Sequence, residues 1–305
     1  MKILIIGAGW YGCHCASVLN KYNIKYDITD KQNDIFCGSS SHNQNRLHKG
    51  FHYCRSFHTR KECEDGFERF METYGEFTQP IPKNYYCIDK RSTVDFETYK
   101  VIFNKHMFSV TNSMDIPMHI TDKFEGIIKT QERFIDYKKI KQHFQNSITL
   151  TPNPNPADYD YIIDCTYSTI NDNMYYEQCV SLVYKYKHPS PDFAITVVDG
   201  PFWSLYPYDP DNSLYTLTDV EFTPQDIAIA KPNMEAKIIT YMPDFLDHFE
   251  YVSYFRSRKT KLKDAKTDDR SLIWEKKDNT FRFSGGKITG IFAMEDILKK
   301  ELKLV

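Results

Sequence analysis

Glycine is scarce in this chain, with only 12 among 305 residues. In so sparing a sequence, clustered glycines mark tight turns or points where backbone must approach something closely. Six of the 12 fall in two clusters, Gly7, Gly9 and Gly12 near the start and Gly285, Gly286 and Gly290 near the end. No run of 18 or more apolar residues is present, so no membrane-spanning helix and no membrane partner are expected. Neither sign of charge prevails: 39 Lys and Arg stand against 41 Asp and Glu. That balance leaves no basic field for a nucleic-acid partner. The eight cysteines include no Cys-x-x-Cys pair and share no zinc-type spacing with histidine, so no metal site is expected. Reduced thiols serving as small core residues are the simplest use for them, which points to a cytoplasmic compartment. The apolar run after Met1 and Lys2 is too short for a secretory leader and leads straight into a glycine turn.

What the sequence contains first is Lys2-Ile3-Leu4-Ile5-Ile6, a run of the kind buried on both faces in a parallel sheet. Gly7-Ala8-Gly9-Trp10-Tyr11-Gly12 follows at once. Then come a helix-compatible stretch from Cys13 to Lys21 and a second strand, Lys25 to Asp30. A bare G-x-G-x-x-G is a weak signal; strand, glycine turn, helix, strand and acid in one unit make it a strong one. Gly7 lets the chain turn off the strand, Gly9 lets a pyrophosphate approach bare backbone, and Gly12 lets helix and sheet pack closely. The helix start at Trp10 and Tyr11 offers unpaired N–H groups and a partial positive charge to phosphates. Asp30 lies 18 residues beyond Gly12, about where a carboxylate accepts ribose hydroxyls. The pattern by itself does not separate FAD from NAD, and the acid disfavours the 2′-phosphate of NADP.

Residues 31–57 are polar, lack hydrophobic periodicity and carry three histidines, His42, His48 and His52; a loop so long inside a compact domain points to function. Helices are expected over 58–75, 94–103, 136–145 and 234–245, and strands over 84–89, 125–131, 159–166 and 251–256. Short β-like runs at 180–186, 193–198, 203–208 and 214–218, broken by Pro, Asp, Asn and Gly, read as an antiparallel sheet. The charged stretch 256–269 is expected as a surface loop and 272–283 as a hairpin. Gly285-Gly286-Lys287 is expected to open a last helix through Leu298. This order implies that the two ends of the chain meet in one domain with the middle inserted. The expected fold class is α/β (α+β overall): a Rossmann-like dinucleotide-binding domain with a parallel central sheet, from residues 1–75, 132–176 and 263–305. A mainly antiparallel substrate or cap domain, from 76–131 and 177–262, is inserted into it.

Four features resemble the FAD-dependent oxidoreductases of the D-amino acid oxidase-like (glycine/sarcosine oxidase) superfamily. The first is Gly7 to Gly12 with Asp30. The second is the segment Gly38-Ser39-Ser40-Ser41 through Arg46-Leu47-His48-Lys49-Gly50-Phe51-His52-Tyr53, similar to the Ser-rich, Arg-x-His-x-Gly loop that such enzymes lay along the flavin. The third is Tyr161 to Thr166, similar to the family strand near the dinucleotide, with Tyr167 where the family usually has glycine. The fourth is Phe283 to Gly290, similar to the Gly-rich helix start beneath the flavin ring. The resemblance implies FAD as cofactor, held by Gly7, Gly9, Trp10, Tyr11, Gly12, Asp30, Ser40, Ser41, Arg46, Leu47, His48, Thr166, Gly285, Gly286, Lys287 and Ile288. Of the family's Gly-x-Arg-Pro substrate motif, Tyr254-Phe255-Arg256-Ser257 keeps only the arginine.

In a flavoenzyme the cofactor carries the hydride chemistry and the protein orients and tunes it. N–H groups at Gly285–Gly286 and the charge of Lys287 suit the negative charge that reduction puts on the flavin. His48, His52, Tyr53 and Arg256 are the candidate catalytic residues; Arg46 and His48 either touch flavin or substrate or pin the loop. The expected activity is that of an oxidase or dehydrogenase taking a hydride from a C–N or C–O bond of a small-molecule substrate. Two alternatives share the N-terminal features: a flavin-dependent non-redox enzyme such as a nucleotide-sugar mutase, and a catalytically idle nucleotide-binding protein.

Overall fold

The strand Lys2–Ile6 lies inside a five-stranded sheet, with Ile3, Leu4 and Ile5 all buried, as cover on both faces requires. The computed structural model describes residues 1–189, 192–263 and 270–304. Lys25–Thr29 flanks the first strand on one side and Tyr161–Asp164 on the other, both parallel to it. Thr280–Ser284 adds a fourth parallel strand, and Ile273–Lys277 closes the edge antiparallel. Ile6 is in register with both Thr29 and Asp164, so the three strands end together. Gly7, Asp30 and Cys165 therefore share one sheet edge, where open α/β sheets bind ligands.

The helix Trp10–Lys21 forms the crossover between the first two strands, and Gly290–Glu301 and Phe57–Tyr74 pack beside it. Their shared core runs through Trp10, Phe36, Phe70, Tyr74, Phe144 and Phe292. Ring centroids of Trp10 lie 5.0 Å from Phe36 and 5.5 Å from Phe70. The helix Phe57–Tyr74 starts where Ser56 accepts the Thr59 N–H, and Tyr137–Ser147 starts where Asp136 accepts that of Lys139, ordinary N-caps.

A second, eight-stranded sheet runs in the order Phe249–Leu262, Met174–Tyr186, Leu214–Asp219, Trp203–Asp209, Phe193–Val198, Lys83–Asp89, Phe124–Thr130 and Phe108–Thr111. Its pairings are antiparallel except that Phe193–Val198 lies parallel to Lys83–Asp89. Strand alternation gives this sheet two unlike faces. Tyr85, Cys87, Ile195, Val197, Leu205 and Leu217 form an apolar core with Ala230, Met234 and Ile238 of the helix Ile227–Ile239. Asn84, Tyr86, Thr196, Ser204, Tyr206 and Thr216 alternate with them on the other face, all buried. A small sheet of Arg46–Leu47, Arg133–Ile135 and Thr78–Pro80 brings the polar loop against that second face.

Several expectations are corrected. Residues 256–262 are strand, paired with Met174–Val180 at the sheet edge; their charges are those that guard an edge rather than those of a loop. The rest of the expected loop, 264–269, lies outside the described residues. The helix expected from 234 starts at Ile227, where Asp226 accepts the Ala228 N–H, and it tolerates Pro232 inside. The last helix begins at Gly290 and ends at Glu301; Gly286 to Thr289 form a turn ahead of it. Among the described residues, no helix is long and apolar enough to cross a membrane.

Candidate active site

A cleft of about 1400 Å³ lies along the edge where the parallel strands end, lined by Gly7 and Gly9 of one glycine cluster and Gly285 and Gly286 of the other. At one end Gly7 turns off its strand with φ +101°, a conformation open to glycine. A Cβ there would lie 2.7 Å from the Cys165 carbonyl oxygen, and one on Gly9 would lie 2.7 Å from Ser40 Oγ. That same hydroxyl accepts the Trp10 N–H at 3.0 Å, so the polar loop caps the glycine-turn helix. Asp30 Oδ2 accepts the Ala8 N–H at 2.9 Å and its other oxygen the Gln32 N–H at 3.0 Å. The carboxylate thus braces the turn and also faces the cleft.

At the other end Gly285, Gly286, Lys287 and Ile288 line the cleft. The Tyr11 hydroxyl donates to the Lys287 carbonyl at 2.9 Å, so the two extremities of the chain meet. Lys287 Nζ contacts the Tyr53 hydroxyl and lies 4.2 Å from the centroid of its ring. Burial, with Arg46 nearby, lowers the Lys287 pKa to about 7.

His48 and His52 stand beside this pair, ring centroids 5.0 Å apart, with Tyr53 6.0 Å from His48 and 5.9 Å from His52. His48 Nδ1 accepts the Gly50 N–H at 3.2 Å. Burial, reinforced by Lys287 and Arg46, holds the His48 pKa well below the usual histidine value; for His52 the order is burial, Arg46, His48 and Lys287. Both imidazoles are neutral at pH 7. Arg46 is buried beneath them. Its guanidinium donates to Thr196 at 3.0 Å, Ser204 at 2.9 Å and Tyr86 at 3.1 Å, and it lies 3.5 Å from Glu132 and 4.1 Å from the centre of the Tyr206 ring. Burial alone would lower its pKa, but Tyr86, Tyr206 and Glu132 raise it, so it stays charged.

Most residues singled out from the sequence come together here. Gly7, Gly9, Trp10, Tyr11, Asp30, Ser40, Arg46, His48, His52, Tyr53, Thr166 and Gly285 to Ile288 all line the cleft. Gly12, Ser41 and Leu47 do not. A Cβ on Gly12 would overlap the Gly7 carbonyl, Ser41 Oγ bonds the Phe36 carbonyl at 2.5 Å, and Leu47 is fully buried in the core. Arg256 lines the cleft from the long edge strand, exposed and paired with Asp226 at 3.0 Å; among the described residues no hydrogen bond or ion pair joins it to the histidines. Tyr167 takes the left-handed conformation, φ +59°, where the family usually has glycine. Its hydroxyl accepts the Thr260 N–H at 3.1 Å.

Sequence reasoning missed Glu132, Tyr86 and Asn84 under the histidines, and the fork of Arg55 on Asp199 (2.6 and 3.3 Å) in the cleft wall. An acid between the two strands that end at Thr130 and begin at Arg133 carries no local signal. The bare glycine turn at one end, the cationic turn at the other and the single cleft joining them fit an extended dinucleotide such as FAD.

Comparison with known proteins agrees. The NAD(P)-binding Rossmann-like domain matches residues 5–70. The FAD-dependent monooxygenase FPY4 of Fusarium mangiferae is 32% identical over 335 residues, covering 96% of this chain and 89% of that protein. The FAD-dependent monooxygenase kojA of Aspergillus flavus is 25% identical, covering 98% and 85%. Among solved structures, L-alpha-glycerophosphate oxidase from Mycoplasma pneumoniae with FAD bound superposes with a TM-score of 0.72 at 15% identity, covering 99% of this chain and 94% of that one. Glycine oxidase from Geobacillus kaustophilus superposes with a TM-score of 0.70 at 11% identity, covering 98% and 93%. At such identities these two establish the fold.

Proposed function

The chain belongs to the FAD-dependent monooxygenase family and is an FAD-dependent oxidoreductase, and from that premise we propose that it takes a hydride from a C–O or C–N bond of a small substrate. Bound FAD supplies the two-electron acceptor. Gly7, Gly9 and the N–H of Tyr11 would hold the pyrophosphate and Asp30 the ribose; the Trp10 N–H, expected free from the sequence, is taken by Ser40 Oγ. Ser40, Arg46, His48 and Thr166 line the cleft between these ends, and Gly285 to Ile288 would hold the reducible end. Segments 1–75, 132–176 and 263–305 hold the cofactor; 76–131 and 177–262 turn the polar sheet face to the substrate.

The observation that carries the reading is that His52 lines the same cleft as the Gly285 turn, with burial holding its imidazole pKa well below the usual value. A neutral imidazole can take the proton from a substrate hydroxyl or amine as the adjacent carbon gives up its hydride. Lys287, poised near pH 7, supplies positive charge beside that carbon's acceptor when protonated. Tyr53 holds the lysine in place.

Anaerobic mixing with a panel of small alcohols and amines tests this. A member of the panel should bleach the flavin absorbance without added nicotinamide nucleotide and leave a product two hydrogens lighter. A second reading, oxygen insertion, follows the monooxygenase activity for which FPY4 and kojA are named. It requires external reductant and oxygen and leaves a product one oxygen heavier. Bleaching only by NADH or NADPH, with that mass gain, would replace the first reading by the second.

A further inference from the structure

Behind His52 lies a buried polar chain that the reaction itself does not call for. Tyr86 is fully buried and Glu132 is 1% exposed. Glu132 receives the Lys49 N–H at 3.1 Å, Asn84 Nδ2 at 3.0 Å and Arg46 at 3.5 Å. Burial raises the carboxyl's pKa, but the Arg46 charge and these donated bonds oppose it, and with three donors aimed at it the group is taken as an ionised acceptor. Tyr86 Oη lies 2.9 and 3.1 Å from the two Glu132 oxygens, and its single proton goes to them. Arg46 donates to the same phenol oxygen. The remaining neighbour of that oxygen is His52 Nδ1 at 3.0 Å. With the phenol proton committed to Glu132, the imidazole must donate; the other tautomer would set two lone pairs face to face.

We propose that Tyr86 and Glu132 are positioning residues for His52, fixing its proton on Nδ1 and leaving Nε2 a bare acceptor in the cleft. This rests on the reading of His52 as the proton acceptor. His48 is set the opposite way: its Nδ1 accepts the Gly50 N–H, so its proton sits on Nε2. Two neighbouring histidines thereby present one donor and one acceptor to a substrate. The other groups facing His52 are Arg46 from the small sheet, His48 and Tyr53 from the loop, and Lys287 from the turn. Arg46 and Lys287 oppose a second proton on the ring. Glu132, acting through Tyr86, is the negative charge that steadies an imidazolium when one forms.

The test is nitrogen-15 NMR of the FAD-loaded protein with labelled histidine, assigned with His48→Asn and His52→Asn. The parent should show two neutral rings of opposite tautomer. Tyr86→Phe should lower the Nδ1–H to Nε2–H ratio of His52 about tenfold, as loss of one hydrogen bond implies, and leave His48 unchanged. Glu132→Gln should act in the same direction; if that variant does not fold, Tyr86→Phe decides. A parent His52 protonated on Nε2, or a His52 tautomer unaltered by Tyr86→Phe, would overturn the proposal. The readout needs no substrate, so failure to find a bleaching alcohol or amine would sink the hydride reading without touching this result.

Discussion

The Tyr11 hydroxyl and the Lys287 carbonyl, 276 residues apart in the chain, are joined by a 2.9 Å hydrogen bond. The phenol is wedged against Gly285 and Gly290, where any added Cβ would overlap it. Nothing larger than glycine fits at either position while the ring stays in place.

That wedge predicts an order of severity. Tyr11→Phe keeps the ring and loses the bond, at about 1 kcal/mol. Gly285→Ala must displace the ring itself, and should lower bound flavin per protein, read from absorbance, more than Tyr11→Phe does. Adding Tyr11→Ala to Gly285→Ala should recover part of the loss, since the two side chains no longer compete for one space.

Arg46 and Glu132 form a pair with almost no exposure, 5% and 0% of their side chains. Removing the cation leaves a buried carboxylate with only neutral donors. Arg46→Met should destabilise the protein by about 3–5 kcal/mol in urea unfolding. Arg46→Met with Glu132→Gln should be more stable than Arg46→Met alone.

Lys287 gives a pH signature. Its folded pKa is lowered to about 7 from 10.5, so between those values the folded state binds fewer protons than the unfolded one. Stability should therefore rise with pH across that window. In apoprotein melts, Lys287→Met should exceed the parent in stability below about pH 7 and match it above about pH 10.5.

Glu295 gives the opposite one. Burial would raise its pKa, but bonds from His14 and Lys299 lower it to about 2 from 4.5. His14 Nδ1 accepts from Tyr74 at 2.8 Å, and Nε2 donates to Glu295 at 3.1 Å, while burial keeps the ring neutral. The carboxylate's contribution is fully present above about pH 4.5 and lost as pH falls through about 2. Glu295→Gln should cost about 2 kcal/mol near pH 7, with the gap to the parent closing across that acid range in circular-dichroism melts.

The sequence made the first thirty residues readable because the run Lys2 to Ile6, the glycine spacing and Asp30 are all local signals. The cluster at Gly285 was legible for the same reason, yet the helix start was not: Lys287 to Thr289 continue as a turn, and only Gly290, pressed against Tyr11, begins the helix. The strand through Arg256 and Lys261 reads as loop because an edge strand has one side in water, and its partner at Met174–Val180 is some 80 residues away. Pro232 hid the first turns of its helix. Glu132 was invisible for a deeper reason. Its partners Arg46, Asn84 and Tyr86 come from two separate segments, and only the folded sheet shows that they converge.

The large sheet separates two duties along single strands. Ile195 and Leu205 hold one side together, while Thr196 and Ser204, their immediate neighbours, face the other. Such a wall can be retailored residue by residue. Exchanging a residue on this face that Arg46 does not hold, such as Thr218 beside core Leu217, changes what the chamber will accept and leaves the hydrocarbon layer behind it undisturbed. Descendants of this chain can diverge in diet while inheriting the same skeleton.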